Sequence, residues 1–136
     1  MPISGSPALV PYLAQITADN TVLLANDAEV SWATNTTYTK KKECCVGVFG
    51  IYCVKFDLKI NAGANTAYGK IYVNGIAVGT ERSTQSTAYV TFTENLFIKA
   101  NDLVQLYIQR SAGTSYAQNF RMCGAIAPGV GVIVLA

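Results

Sequence analysis

The feature that most constrains the fold is strict two-residue alternation. Between residues 52 and 60, Tyr52, Val54, Phe56, Leu58 and Ile60 face one way, and Cys53, Lys55, Asp57 and Lys59 face the other. Only a half-buried β-strand turns that pattern into one apolar face, because successive side chains of a strand point to opposite sides. The same alternation returns in Ala88, Val90 and Phe92 and in Val104, Leu106 and Ile108. Shorter strand candidates lie at Thr21–Leu24, Glu29–Trp32, Thr36–Tyr38, Cys44–Val48 and Leu96–Ile98, with a last core strand near Ala117–Gly124.

The punctuation between these runs is that of turns. Asn74-Gly75 separates Lys70–Val73 from Ile76–Val78, and both residues tolerate the positive φ of a type I′ hairpin. Asn61–Asn65, Thr80–Thr87, Ala100–Asp102 and Ser111–Ser115 read as loops. Pro7 and Pro11 make residues 9–16 an extended arm in preference to a helix. Many short strands at regular spacing without helical periodicity predict an all-β, two-sheet antiparallel sandwich or a barrel. At 136 residues the chain has the length of one domain. It is read as residues 1–19 forming an N-terminal arm, 20–124 the core and 125–136 an apolar C-terminal strand or arm.

The chemistry available to this chain is limited. Histidine is absent, which removes Ser-His-Asp and Cys-His nucleophilic systems, imidazole acid–base catalysis and His-based metal sites. The eight carboxylates are scattered, so a pair such as Asp57 and Glu94 would meet only through tertiary structure. There is no phosphate-cradling glycine loop, and Cys44, Cys45, Cys53 and Cys123 lack the spacing of a zinc ribbon. The expectation is a protein that is not an enzyme and needs no cofactor or metal. Adjacent Cys44 and Cys45 should point to opposite faces, so at most one is buried.

Charge points to partners of a different kind. Only 13% of residues are charged, against a usual quarter or so, and the net charge is +2. That field is too weak to steer the chain to nucleic acid or an anionic membrane, and no apolar run reaches the length of a membrane span. Lys40-Lys41-Lys42-Glu43 reads as a solvated strand edge or loop. No export signal is visible at Met1–Ser6, so the sequon Asn35-Thr36-Thr37 is read as chance.

Gly50–Phe56, Ile71–Gly75, Leu96–Leu106 and Asn119–Gly124 occur in the order seen in C1q/TNF-like domains, and the chain resembles them over about residues 20–124. Leu96-Phe97-Ile98-Lys99-Ala100-Asn101-Asp102-Leu103-Val104-Gln105-Leu106 resembles that family's strand–turn–strand motif, with Asn101 where glycine is usual. The resemblance implies a jelly roll that forms homotrimers. It also implies neighbouring strands for Cys53 and Cys123, and hence a disulfide between them. There is no collagen-like stalk, so the nearer comparison is with single jelly-roll domains of bacteriophages and archaeal viruses.

Residues 125–136 carry no charge and end in a β-former run containing Val130, Val132, Ile133, Val134 and Leu135. Two readings stay open for it: a last strand on its own sheet, or an arm that adds a strand to a neighbouring subunit. The uncharged segment Met1–Ala14 is open to the same use. The expected function is a capsid-associated or decoration subunit in a virion, partnered by copies of itself and by other virion subunits. The alternative is a receptor- or carbohydrate-binding module such as a fibre tip, using loops around Asn61–Tyr68, Arg82–Thr87 and Arg110–Tyr116. Tyr72, Tyr89 and Tyr107 alternate with apolar residues, as aromatics on an outer sheet face would.

Overall fold

In the computed structural model, residues 8–9, 15–127 and 133–134 are described. They form twelve strands and, among them, no helix: β1 (Ala8–Leu9), β2 (Gln15–Asn26), β3 (Val30–Trp32), β4 (Thr39–Cys45), β5 (Gly50–Ile60), β6 (Ala67–Val73), β7 (Ile76–Ala77), β8 (Arg82–Thr84), β9 (Val90–Ile98), β10 (Leu103–Arg110), β11 (Ser115–Ala127) and β12 (Ile133–Val134). The chain is thus all-β, and its main body is a two-sheet sandwich. One sheet has the order β3-β11-β2-β5-β9, with β11 also paired to β5. The other runs β4-β10-β6-β7, with β8 on β6. The small pair β1–β12 stands apart from both.

The alternation read from the sequence builds the core. Tyr52, Val54, Phe56, Leu58 and Ile60 project inward from β5 and meet Val104, Leu106 and Ile108 of β10 and Ile71 of β6. Phe120, Met122 and Ala117 of β11 complete the layer. At roughly 1.5–3 kcal/mol for each large side chain, this burial is the main force holding the two sheets together. Asn74 and Gly75 have φ of 52° and 82°, as the expected hairpin requires. Asn101 has φ of 69°, which fits the use of asparagine where a left-handed turn residue is needed.

Two expectations are corrected. The arm expected over residues 1–19 ends earlier, because Gln15 already pairs with Ala127 and Ile16 is a core residue at 3% exposure. The Lys40–Glu43 run is only partly solvated. Lys42 is 4% exposed, because the alternation of edge strand β4 turns it inward. Its ammonium donates to Asn26 Oδ1 at 2.9 Å. Burial pushes the Lys42 pKa down, while Asp27 opposes that shift.

Candidate assembly surface

One end of the sandwich is organised around Ile16. Its backbone pairs in parallel with Gly50 of β5 and antiparallel with Ile126 of β11. It therefore lies between two strands that touch each other directly a few residues further on. There, Cys123 of β11 has Cys53 of β5 on one side and Val22 of β2 on the other. Strand β2 thus starts inside a fork between β5 and β11 and ends on the far flank of β11.

The crossing between these positions, residues 18–21, passes over the outer face, where Lys55 Nζ donates to Asn20 Oδ1 at 2.8 Å. Two glycines permit it. Gly50 adopts φ of 148°, and a Cβ there would overlap the backbone of Ile16; a Cβ on Gly124 would overlap the Ile16 side chain.

The tails continue from this fork. Ala8 pairs with Val134 and Leu9 with Ile133, in the register already set by Gln15↔Ala127 and Ile16↔Ile126. Of the residues expected to make an assembly strand, Ile133 and Val134 therefore pair with the chain's own N-terminal segment in a ribbon outside both sheets. Val130, Val132 and Leu135 lie outside the described residues.

Beside the fork, on the outer face, is an open groove of about 630 Å³ lined by Gln15, Ile16, Thr17, Gly50, Ile51 and Phe97, among others. Ile51 and Phe97 are cross-strand partners and are 47% and 60% exposed. Phe49 packs edge-on against Phe97, with ring centroids 6.5 Å apart. A second, smaller hollow shares Ile16 and is bounded by Leu23, Leu24, Val48, Tyr52 and Ile126. Ile126 is 64% exposed. Isolated apolar residues on a surface are ordinary; here Ile51, Phe97 and Ile126 are exposed at the same end of the sandwich.

At the opposite end, the three loops named as recognition candidates come together. Asn61 N–H donates to the Thr114 carbonyl and Asn61 Oδ1 accepts from Thr114 N–H, both at 3.0 Å. Thr66 and Ser111 exchange a similar pair, and Ile60 N–H donates to the Ser86 carbonyl. These loops are tied to one another, and their exposed residues are small and uncharged at Asn61–Ala64, Thr87–Ala88 and Ser111–Ala112.

The tyrosines divide between the sheets. Tyr72 and Tyr107 stack at 3.7 Å on the β6–β10 surface, with Tyr38 beside Tyr72. Tyr89 lies just before β9 of the other sheet, where Lys59 Nζ sits 4.6 Å from its ring and 5.1 Å from that of Tyr116.

Sequence reasoning missed the cluster around Asp57. Alternation assigns Asp57 to the outer face, yet it is 7% exposed. It accepts from Thr91 Oγ1 and Asn119 Nδ2, each at 2.8 Å, and lies 3.5 Å from Arg121 Nη1. Asp57 and Glu94 are not brought together; Glu94 instead accepts from Thr80 N–H and faces Arg82.

Of the four free thiols, Cys53 and Cys123 are buried, Cys44 is half-buried and Cys45 is exposed. Among the described residues, no three His, Cys, Asp or Glu side chains are grouped as metal ligands, and no helix is long and apolar enough to cross a membrane.

No family model and no curated protein matches the chain. Among solved structures it is similar to a Paenibacillus sp. cycloisomaltooligosaccharide glucanotransferase complexed with cycloisomaltoheptaose, with a TM-score of 0.46 and 15% identity. The match covers 86% of this chain and 17% of that one. A likeness of that degree carries no argument about activity.

Proposed function

We propose that this chain is a non-enzymatic structural subunit that assembles with copies of itself through the ribbon end of its sandwich. The observation that carries the reading is the register shared by Ala8↔Val134, Leu9↔Ile133 and Gln15↔Ala127, together with the exposed Ile51–Phe97 groove that Gln15 lines. The first charged side chain of the sequence is Asp19 and the last is Arg121, so neither tail carries a charged side chain. A two-stranded ribbon is marginal alone, and one that is uncharged on both faces gains stability only by being covered. A neighbouring copy supplies a groove and a ribbon of matching character.

The resemblance to C1q/TNF-like domains extends the proposal to a jelly-roll homotrimer serving as a capsid-associated or decoration subunit of a virion. That extension rests on fold analogy. A second reading, recognition of a receptor or glycan, is favoured by the knitted loops at the opposite end, which present uncharged hydrogen-bonding groups on a fixed base. Assembly at one end and recognition at the other are compatible in one subunit.

Hydrogen exchange read by mass spectrometry at high and low protein concentration tests the assembly. The proposal expects peptides covering residues 49–51, 95–98 and both tails to gain protection on concentration, while loop 61–66 does not change. Equal exchange at both concentrations contradicts it.

A further inference from the structure

We propose that Cys53 and Cys123 form a reversible cross-strand disulfide that fastens the fork through which β2 enters its sheet. The two residues are directly opposed partners in the antiparallel β5–β11 ladder. Directly opposed residues of such a ladder point to the same face with Cα atoms about 4.5–5.5 Å apart, inside the window of roughly 4.4–6.8 Å that disulfides adopt. The register thus places the two Cα atoms at a separation compatible with a disulfide. On one side the pair is held by the next rung of the ladder, Val54↔Met122, whose side chains are in the core.

The place of the pair in the fold gives the bond a consequence. Just beyond Cys53 and Cys123 the strands part to admit Ile16. A covalent link there closes the fork at its apex, so that strain on the tails cannot propagate by peeling β5 from β11. The link also closes a loop from residue 53 to residue 123, which restricts the unfolded chain and favours the folded one. Cys44 and Cys45 do not compete within the fold, since they lie on β4 opposite Val104 and Leu103 of the other sheet.

The oxidant is a small-molecule disulfide such as oxidised glutathione. One protein thiolate attacks a sulfur of that disulfide, expelling one glutathione thiolate and leaving a mixed disulfide. The second cysteine attacks the protein sulfur of that mixed disulfide, expelling the second glutathione, and the two protons lost by the cysteines end on the two glutathione thiols. Cys123 is fully buried and Cys53 is 6% exposed beneath the 18–21 crossing, so reaction requires that crossing to lift. Burial also pushes the Cys123 thiol pKa up, which slows attack at neutral pH.

The full-length C44S/C45S variant makes the test unambiguous, because Cys53 is then the sole cysteine of tryptic peptide 43–55 and Cys123 that of 122–136. The folded protein is equilibrated in buffers of graded oxidised-to-reduced glutathione, quenched with acid and digested. The expected result is a linked 43–55/122–136 pair lighter by two hydrogen atoms than the free peptides together, reversed by excess thiol. The melting temperature of the oxidised protein rises by roughly 10 °C, and a C53S version shows no rise. Two free thiols at every buffer ratio, or a link that forms only in urea, overturns the proposal. Both outcomes are independent of whether the chain assembles.

Discussion

Phe97 stands directly opposite Ile51 in the β5–β9 ladder, and each keeps about half or more of its surface exposed on the same outer face. The core side of both strands is filled by Tyr52, Leu96 and Ile98, and among the described residues the Phe97 ring meets the edge of Phe49 on the outer face. The first prediction follows. Phe97→Lys and Ile51→Lys should leave folding stability within about 0.5 kcal/mol, because the replaced side chains are exposed. Self-association should weaken by roughly thirtyfold for Phe97→Lys, the cost of removing one buried aromatic from an interface. Chemical denaturation and a dilution series by sedimentation separate the two effects. Unchanged association would remove this face from the interface.

The fork predicts a backbone effect. Gly50→Ala places a methyl group into the backbone of Ile16 at a φ that other residues rarely adopt, so it should destabilise the fold by about 3 kcal/mol. Gly47→Ala, where a Cβ meets nothing, should cost far less. Denaturant melts of the two variants give the comparison directly; equal costs would mean that Ile16 is not seated against Gly50.

Asp57 is expected to behave as a structural carboxylate. Asp57→Ala strands Asn119, Thr91 and Arg121 without their shared acceptor and should cost about 2 kcal/mol, whereas Asp57→Asn keeps an acceptor for Thr91 and should cost less. Thermal melts of both rank the effect. The same ranking read on a carbohydrate-binding assay with no change in melting would instead give Asp57 a role in recognition.

Much of this architecture is visible in the sequence, and the reasons for the gaps are physical. Alternation over residues 52–60 and 104–108 and the Asn74-Gly75 turn are local signals, and the strands and hairpin stand where those signals put them. Pro7 and Pro11 close by, with no alternation around Ile16, point to an extended arm there. The burial of Ile16 comes from insertion between β5 and β11, which no local pattern encodes. The charge of Lys42 suggests a solvated edge, and alternation puts Asp57 on the face opposite the core residues of β5. Each is instead satisfied by residues distant in sequence, Asn26 for one and Asn119 with Arg121 for the other. The ribbon was legible in composition but not in pairing, since the uncharged tails advertise a need for cover without naming each other.

Stability should fall in alkali. Burial, helped by the hydrogen bond to Glu81, pushes the Tyr38 phenol above its usual 10.0, and burial with Glu29 does the same for Tyr89. Burial also raises the Cys44 and Cys123 thiols above 9.0. Each of these groups binds its proton more tightly when folded. Their contribution is fully present below the unfolded pKa and is lost as pH rises beyond it, from about 9 for the thiols and 10 for the phenols. Lys42, depressed by burial, works in the opposite sense below 10.5 but is a single group. Urea melts at pH 7 and pH 10.5 should show a marked loss, and the Tyr38→Phe/Tyr89→Phe variant a shallower one. A pH-independent midpoint would mean that these phenols are not held as described.

Light scattering decides whether the ribbon end joins copies of this chain. The masses of the intact protein and of a chain ending at Ala127 are measured across a concentration series. Assembly through the ribbon end gives a defined oligomer, a trimer on the proposed jelly-roll analogy, that falls to smaller species when residues 128–136 are removed. An intact chain that stays monomeric at every concentration, with truncation making no difference, would contradict it.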